Sequence, residues 1–248
     1  MQTESLSVPG APTAPRTAGG PRAGVDWLAV LAFLAVAGAL VRAVWFTPIE
    51  LRQGAAQKIF YVHVPSAFLA LYVAFPLLAL CSAGYLWLRD ERLDRVAEST
   101  AEVALVFMTV VLVTGPIWAR PIWGAWWTWD MRLTLTLFLW FVVLGYLLLR
   151  GAVEEAGARA RFSAVLAVLA LLLVPFIHLS VYLFRTLHPQ PVLLKPSRPS
   201  LPGEMLTTFL FAFLAFALLF VALVRARYRY AVARDHALAE RAHLAGEG

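Results

Sequence analysis

The chain has 248 residues, of which 61% are hydrophobic and only 15% are charged, with a formal net charge of +6. About a quarter of the residues of a soluble domain are charged, so this composition excludes a soluble globular protein and indicates an integral membrane protein. Basic loops beside anionic lipid headgroups account for the positive charge, and we expect the bilayer, not a nucleic acid, as its partner.

Six apolar runs follow one another along the chain, each close to the roughly 20 residues that a helix needs to cross a bilayer. They begin at about Trp27, Val64, Ala101, Leu133, Phe162 and Glu204. Alternating apolar and polar strands are absent from the sequence, and helices are the other structure that satisfies the backbone in lipid. We therefore predict an all-α membrane protein with a bundle of six transmembrane helices.

The two ends of the chain differ from the middle. Residues 1–25 are rich in Ser, Pro, Thr, Ala and Gly, which predicts a disordered tail before a six-span domain at residues 26–225. Residues 226–248 are charged and Ala-rich and predict a tail with a short helix that runs into water. The first span lacks a small-residue cleavage site before it, so we expect it to be retained and not cleaved as a signal peptide.

Basic residues are unevenly distributed between the two sides of the predicted bundle. Lysines and arginines are more numerous on the two tails and on the loops after the second and fourth spans than on the other three loops. The positive-inside rule then predicts cytoplasmic termini, with the loops after the first, third and fifth spans facing outward.

Between the third and fourth spans, four of the nine tryptophans lie within seven residues, in the sequence WGAWWTWD at residues 123–130. One or two such rings commonly anchor a helix end at the headgroups, so four predict a platform for a flat, conjugated ligand. Helical spacing predicts a short interfacial helix with Trp123, Trp126, Trp127 and Asp130 on one face and Trp129 pointing elsewhere. Asp130 also suits the N-cap of the fourth span.

Two histidines fall on the same outward side as this platform: His63 near the start of the second span, and His188 after the fifth. A lone interfacial histidine is usually solvated, but two neutral imidazoles are the axial ligands that an iron porphyrin takes. Two interpretations of His178, inside the fifth span, remain open. It either forms a hydrogen bond to a carbonyl freed by Pro175 or acts as a ligand or relay. Basic residues on this side that could pair with two haem propionates are Arg52, Lys58, Arg120, Arg132, Arg185 and Lys195.

Residues 123–134, WGAWWTWDMRLT, match in full the WGxWWxWDxRLT signature of the membrane haem-handling proteins of cytochrome c maturation. Over residues 27–225 the chain resembles the haem exporter protein C (CcmC) family of that system. The resemblance implies that His63 and His188 are the axial ligands of haem b, iron protoporphyrin IX. It also implies a haem platform, with Arg132 beside it, formed by Trp123, Trp126, Trp127, Trp129 and Asp130.

The same resemblance implies a function. Proteins of this family bind haem at the periplasmic face of the bacterial inner membrane and promote its attachment to a CcmE-like haem chaperone. The partners it implies are CcmA- and CcmB-like subunits of an ATP-binding cassette transporter and a small CcmD-like membrane subunit. The chain has no nucleotide-binding motif, and its single cysteine, Cys81, lies within a span. We interpret it as a haem-lyase-like assembly factor or transporter component, not as a conventional enzyme.

Three alternatives remain at this point. A haem-attachment subunit of the other cytochrome c maturation system is typically longer. A b-type electron-transfer subunit usually holds its histidine ligands inside the bundle, and a small-solute permease leaves the tryptophan signature unexplained. The sequence also leaves open whether the chain moves haem across the bilayer or receives it from outside.

Overall fold

The computed structural model describes residues 24–195 and 197–246. Its helices are α1 (Trp27–Trp45), α2 (Phe60–Leu69), α3 (Phe75–Leu88), α4 (Glu91–Trp123), α5 (Met131–Ala152), α6 (Ala156–Leu171), α7 (Leu173–Leu183) and α8 (Gly203–Gly246). A 3₁₀ turn, Ala55–Ile59, leads into α2, and a π-helical turn, Ala70–Ala74, joins α2 to α3. The tail predicted for residues 1–25 falls almost wholly on residues 1–23, which lie outside the described part of the chain.

Six helical segments are long and apolar enough to cross a membrane, which confirms the predicted six-span bundle. The second segment runs from the 3₁₀ turn through α3, and the fifth combines α6 and α7. The third begins ten residues earlier than the apolar pattern predicted, at Glu91, because nearly three polar turns precede the apolar run. The chain is thus a multi-pass membrane protein.

Aspartate carboxylates begin three of the long helices. Asp26, Asp90 and Asp130 each accept a hydrogen bond from a backbone N–H of the following turn, at 2.8 to 3.2 Å. Such caps satisfy donors that have no partner within the helix, and they place a negative charge at the positive end of its dipole. The predicted N-cap role of Asp130 is confirmed.

Two helices, α3 and α8, make the main contacts between the six spans. α3 lies against α4 and α6, while α8 packs along α1, α2 and α4. Small side chains make the α1–α8 contact close: Ala39 and Ala43 meet Ala212 and Ala215. Because lipid offers no hydrophobic driving force between helices, such close approach of small residues is a typical source of association in membranes.

The Trp-rich segment is not helical, so the predicted interfacial helix is wrong. α4 ends at Trp123, and Gly124 follows in the left-handed conformation with φ 75°. A glycine there releases the chain from the helix at little cost, and residues 124–130 then run irregularly to the cap of α5. Trp126, Trp127 and Asp130 therefore share no helix face.

The C-terminal tail also differs from its prediction. α8 continues unbroken for 44 residues, about 66 Å at 1.5 Å per residue, against about 30 Å of bilayer core, so there is no separate short helix. Its extension does not simply run into water, because charged residues in the first turns of α4 form ion pairs with it. Arg234 pairs with Glu98 at 2.7 Å, and Asp235 pairs with Arg95 at 2.8 Å.

Three connections, residues 46–59, 124–130 and 184–202, lie at the end of the bundle opposite the described termini. Successive spans cross in opposite directions, so these three connections share one end of the bundle. It is called the cavity end below.

Candidate functional site

A cavity of about 570 Å³ opens at the cavity end. Its volume lies within the roughly 300–1,000 Å³ typical of small-molecule and cofactor sites. The wall comes from α2, α4, the start of α5 and the connections, and is mostly apolar. Its aromatic members include Phe60, Phe68, Trp118, Trp123, Trp126 and Trp127.

His63 and His188 both line this cavity. His63 lies on the first turn of α2, whereas His188 lies on the connection between α7 and α8. The ring of His188 meets the ring of Trp123 edge to face, with centroids 6.5 Å apart. The two imidazoles are close enough for the charge of one to act on the other.

A hydrogen bond from α4 determines which nitrogen of His63 carries the proton. Its Nδ1 lies 3.0 Å from the Thr114 hydroxyl oxygen, and that hydroxyl lies 2.6 Å from the carbonyl oxygen of Val110. The Thr114 hydroxyl donates its single proton to the Val110 carbonyl, so its oxygen accepts a hydrogen bond from Nδ1–H of His63. Nε2 of His63 therefore keeps its lone pair, which is the form that binds a metal.

His188 reaches the same state through the backbone. Its Nδ1 lies 2.9 Å from the carbonyl oxygen of Pro189, which can only accept, so Nδ1 is protonated and Nε2 is not. Burial, helped by the positive charge of Arg132, lowers the pKa of the His188 imidazole to about 4. The ring is thus neutral at physiological pH.

The predicted platform residues divide into two groups. Trp123, Trp126 and Trp127 line the cavity, and the indole N–H of Trp127 is buried without a hydrogen-bond partner among the described residues. Trp129 and Asp130 are not among the lining residues: Trp129 is 77% exposed and packs on Trp127 at 5.9 Å, while Asp130 caps α5. A buried donor without a partner is costly, and a ligand can satisfy it.

Two of the six candidate cations, Arg52 and Arg132, line the cavity. Arg132 is half-buried on the first turn of α5. The other four are placed differently. Hydrogen bonds to nearby carbonyl or hydroxyl groups hold Lys58, Arg120 and Lys195, and Arg185 is exposed.

Residues 15–243 match a family described as heme exporter protein C. The chain belongs to the haem exporter protein C family.

Individual members of this family align over most of both chains. Proteins named heme exporter protein C from Bradyrhizobium diazoefficiens and Haemophilus influenzae are 35% and 32% identical, over 85% and 84% of this chain and 79% and 85% of theirs. One from Rhodobacter capsulatus is 30% identical over 89% of this chain and 92% of its own.

In this member of the haem exporter protein C family, two residues beside His63 were not predicted from the sequence. The ring of Trp118 meets the His63 ring with centroids 5.7 Å apart, and its indole N–H donates to the side chain of Gln53 at 3.0 Å. A Cβ at Gly115 would come 3.3 Å from the His63 ring, so a glycine there leaves room for the imidazole. Gly115 and Trp118 are three residues apart on one helix face, which was the available signal.

The histidine inside the fifth span has a partner that the sequence did not indicate. Nδ1 of His178 lies 2.7 Å from the hydroxyl of Tyr72 on the π-helical turn, and not against a carbonyl freed by Pro175. His178 is not among the cavity-lining residues, whereas Tyr72 is.

Proposed function

We propose that this haem exporter protein C family member binds haem b in the cavity and delivers it for the maturation of c-type cytochromes. One observation carries the proposal: His63 and His188 enter a single Trp-walled cavity, each with Nε2 unprotonated. Two such nitrogens are what the axial positions of a porphyrin iron take. The names of the relatives, heme exporter protein C, support the same cargo.

The chain's own groups supply three kinds of contact to this cargo. His63 and His188 hold the iron from segments that are far apart in sequence. Trp123, Trp126 and Trp127 offer aromatic surface to the ring, and the unpaired indole N–H of Trp127 offers a hydrogen bond. Trp129 and Asp130 then act indirectly. Trp129 packs on Trp127, and Asp130 caps the start of α5.

Positive charge at the cavity suits the two propionates of haem. Arg132 and Arg52 both line the wall, and arginine pairs with carboxylates through two parallel hydrogen bonds. We assign the propionates to these two arginines because the other candidate cations have neighbouring partners or lie outside the lining.

Delivery requires the bound haem to meet a second protein. Trp126 is 59% and Trp129 is 77% exposed beside the cavity, which leaves an aromatic edge for an approaching partner. We propose that the partner is a CcmE-like haem chaperone on the periplasmic side of the bacterial inner membrane, with both termini of this chain in the cytoplasm. CcmA- and CcmB-like transporter subunits and a CcmD-like subunit would complete the assembly.

The decisive experiment is the visible spectrum of the detergent-purified protein, with and without a co-expressed haem chaperone. We expect a low-spin bis-histidine spectrum in the wild type that is lost in His63→Ala and in His188→Ala. His236→Ala, on the exposed extension of α8, is the matched control and should keep it.

Two results would contradict the proposal. Unchanged haem content in both site variants would remove the ligand assignment. A haem that stays on the wild type and never becomes attached to the chaperone would point instead to a resident b-type haem for electron transfer.

A further inference from the structure

A polar cluster lies beneath the cavity, within the membrane-spanning part of the bundle. It consists of Tyr72, His178 and Arg132, which come from the second, fifth and fourth spans. Tyr72 Oη lies 2.7 Å from His178 Nδ1, and the Arg132 guanidinium lies against the same hydroxyl. Arg132 Nη1 also reaches the carbonyl oxygen of Ile177, at 3.4 Å.

The positive charge of Arg132 favours one direction for the hydrogen bond between Tyr72 and His178. A guanidinium can only donate, so it favours the Tyr72 oxygen as an acceptor toward Arg132, and the arrangement that also uses the Tyr72 proton has the hydroxyl donate to Nδ1 of His178. His178 is thereby an acceptor at Nδ1 and carries its own proton on Nε2. This is the reverse of the arrangement at His63 and His188, where Nδ1 donates.

Two irregularities in the helices lie close to these three side chains. Tyr72 is the middle residue of the π-helical turn Ala70–Ala74, and such turns frequently occur at functional sites. The fifth span breaks at Leu172 between α6 and α7, and α7 then packs against α5, which carries Arg132. Tyr72 lies within the first irregularity, and His178 lies six residues after the second.

The charge of Arg132 is only partly compensated within the protein. It forms no salt bridge within the described parts of the chain. The nearest carboxylate, Asp130, already accepts from Leu133 N–H and from the Thr128 hydroxyl, both at 3.1 Å. A cation at a helix N-terminus is also opposed by the dipole, so Arg132 is held by neutral acceptors while it lines the cavity.

We propose that Tyr72 and His178 are positioning residues that hold Arg132 ready for a carboxylate of the cargo. Tyr72 orients the guanidinium, and His178 orients Tyr72 by accepting a hydrogen bond from its hydroxyl. This inference rests on the proposed function and deepens it, because it makes the cavity selective for the free-acid porphyrin over its neutral esters.

The test compares binding of iron protoporphyrin IX with binding of its dimethyl ester, in the detergent-purified full chain. The wild type should prefer the free acid by about tenfold to a hundredfold, the range expected for hydrogen bonds to a charged group. In Arg132→Gln, Tyr72→Phe and His178→Leu the preference should fall by at least about threefold, and Arg52 should supply what remains. The loss should come from weaker free-acid binding, with ester binding unchanged.

Two further variants separate positioning from general packing. His178→Asn places an amide oxygen near the position of Nδ1 and should restore the preference that His178→Leu loses. Thr109→Val removes another hydrogen bond between α4 and α5, from Trp140 at 2.9 Å on an exposed face of the bundle, and should leave the preference at the wild-type value.

Each outcome decides a different point. If Arg132→Gln lowers the preference but Tyr72→Phe and His178→Leu keep it, Arg132 recognises the carboxylate unaided and the inference is overturned while the proposed function stands. Equal weakening of acid and ester in the Tyr72 and His178 variants also overturns it, since that is the effect of a packing defect. If the wild type itself shows no preference, the assignment of the propionates to Arg132 fails as well.

Discussion

The two candidate iron ligands reach the same protonation state by different means. A side chain on another helix, Thr114, takes the Nδ1 proton of His63, whereas His188 uses the adjacent backbone carbonyl of Pro189. The first arrangement can be removed by a point substitution and the second cannot. This difference allows the effect of the imidazole's orientation to be tested separately from the imidazole itself.

We predict that Thr114→Val weakens haem binding by roughly 10-fold to 100-fold, the usual effect of removing the partner of a metal-binding histidine. Valine has the shape of threonine but cannot accept the Nδ1 proton. Thr114→Ser keeps the hydroxyl and should bind haem nearly as the wild type does. Spectral titration of the haem-free protein measures both, and equal affinity in the valine variant would exclude the role given to Thr114.

The depressed pKa of His188, about 4 against an ordinary 6.5, predicts how haem binding depends on pH. Since Nε2 stays unprotonated far below neutrality, affinity should change little between about pH 7.5 and pH 5 and fall as the pH drops through about 4. In the same window, from about 6.5 down to about 4, the unfolded chain gains a proton that the folded chain lacks, so stability is also lost.

Arg132→Gln provides the comparison for this pH profile. It removes the charge that helps burial to lower the pKa of His188, so the decline in affinity should begin at higher pH than in the wild type. If the haem affinity of the wild type instead fell with a midpoint near pH 6.5, burial and Arg132 would not lower the pKa of His188 as argued.

At the scale of elements, α4 connects the two ends of the molecule. It starts among charged residues at Glu91, carries Gly115 and Trp118 along the cavity wall, and ends at the left-handed Gly124. The direction in which the Trp-rich segment leaves the helix therefore depends on one backbone conformation.

We predict that Gly124→Ala destabilises the protein by about 1 kcal/mol, because a Cβ is disfavoured at positive φ. The substitution should also weaken haem binding, since it shifts the tryptophans that follow. Gly145→Ala is the matched control: this glycine is inside α5 with open space around it, and alanine should be neutral or slightly stabilising. Thermal unfolding in detergent and haem titration measure the two effects, and equal behaviour of the two variants would contradict the argument.

At the scale of the whole molecule, charged side chains join three helices at the end opposite the cavity. Glu98, buried on α4, accepts from Arg150 of α5 at 3.1 Å and from Arg234 of α8 at 2.7 Å. Arg150 also pairs with Asp94 at 2.7 Å. Removing Glu98 leaves the buried Arg150 with Asp94 alone, so part of the cost of burying its charge is no longer compensated.

We predict that Glu98→Ala lowers the stability of the detergent-solubilised protein by about 3 kcal/mol, toward the lower end of the range for a broken buried ion pair. Glu91→Ala is the control, because Glu91 is 78% exposed in its pair with Arg95 and should cost under about 0.5 kcal/mol. Thermal melts followed by circular dichroism measure both. Similar melting temperatures for the two variants would mean that the network carries no stability.

Much of this architecture could be predicted from the sequence because its signals are local. Apolar runs gave the six spans, and a continuous motif indicated the tryptophans and Arg132. What could not be predicted depends on pairs far apart in the chain: His63 with Thr114, and Tyr72 with His178, are 51 and 106 residues apart. The interfacial helix was wrong for a local reason, since helical spacing was given more weight than Gly124 as a stop signal.

The two imidazoles also belong to segments of unequal stiffness. His63 is part of a packed helix, whereas His188 lies on the connection at residues 184–202, whose described residues form no helix. Loop motions take nanoseconds to microseconds and helix rearrangements microseconds to milliseconds. We therefore expect the contact of the haem with His188 to change on a faster timescale than its contact with His63. Release of the haem would then require motion of the connection at residues 184–202, while the six spans remain in place.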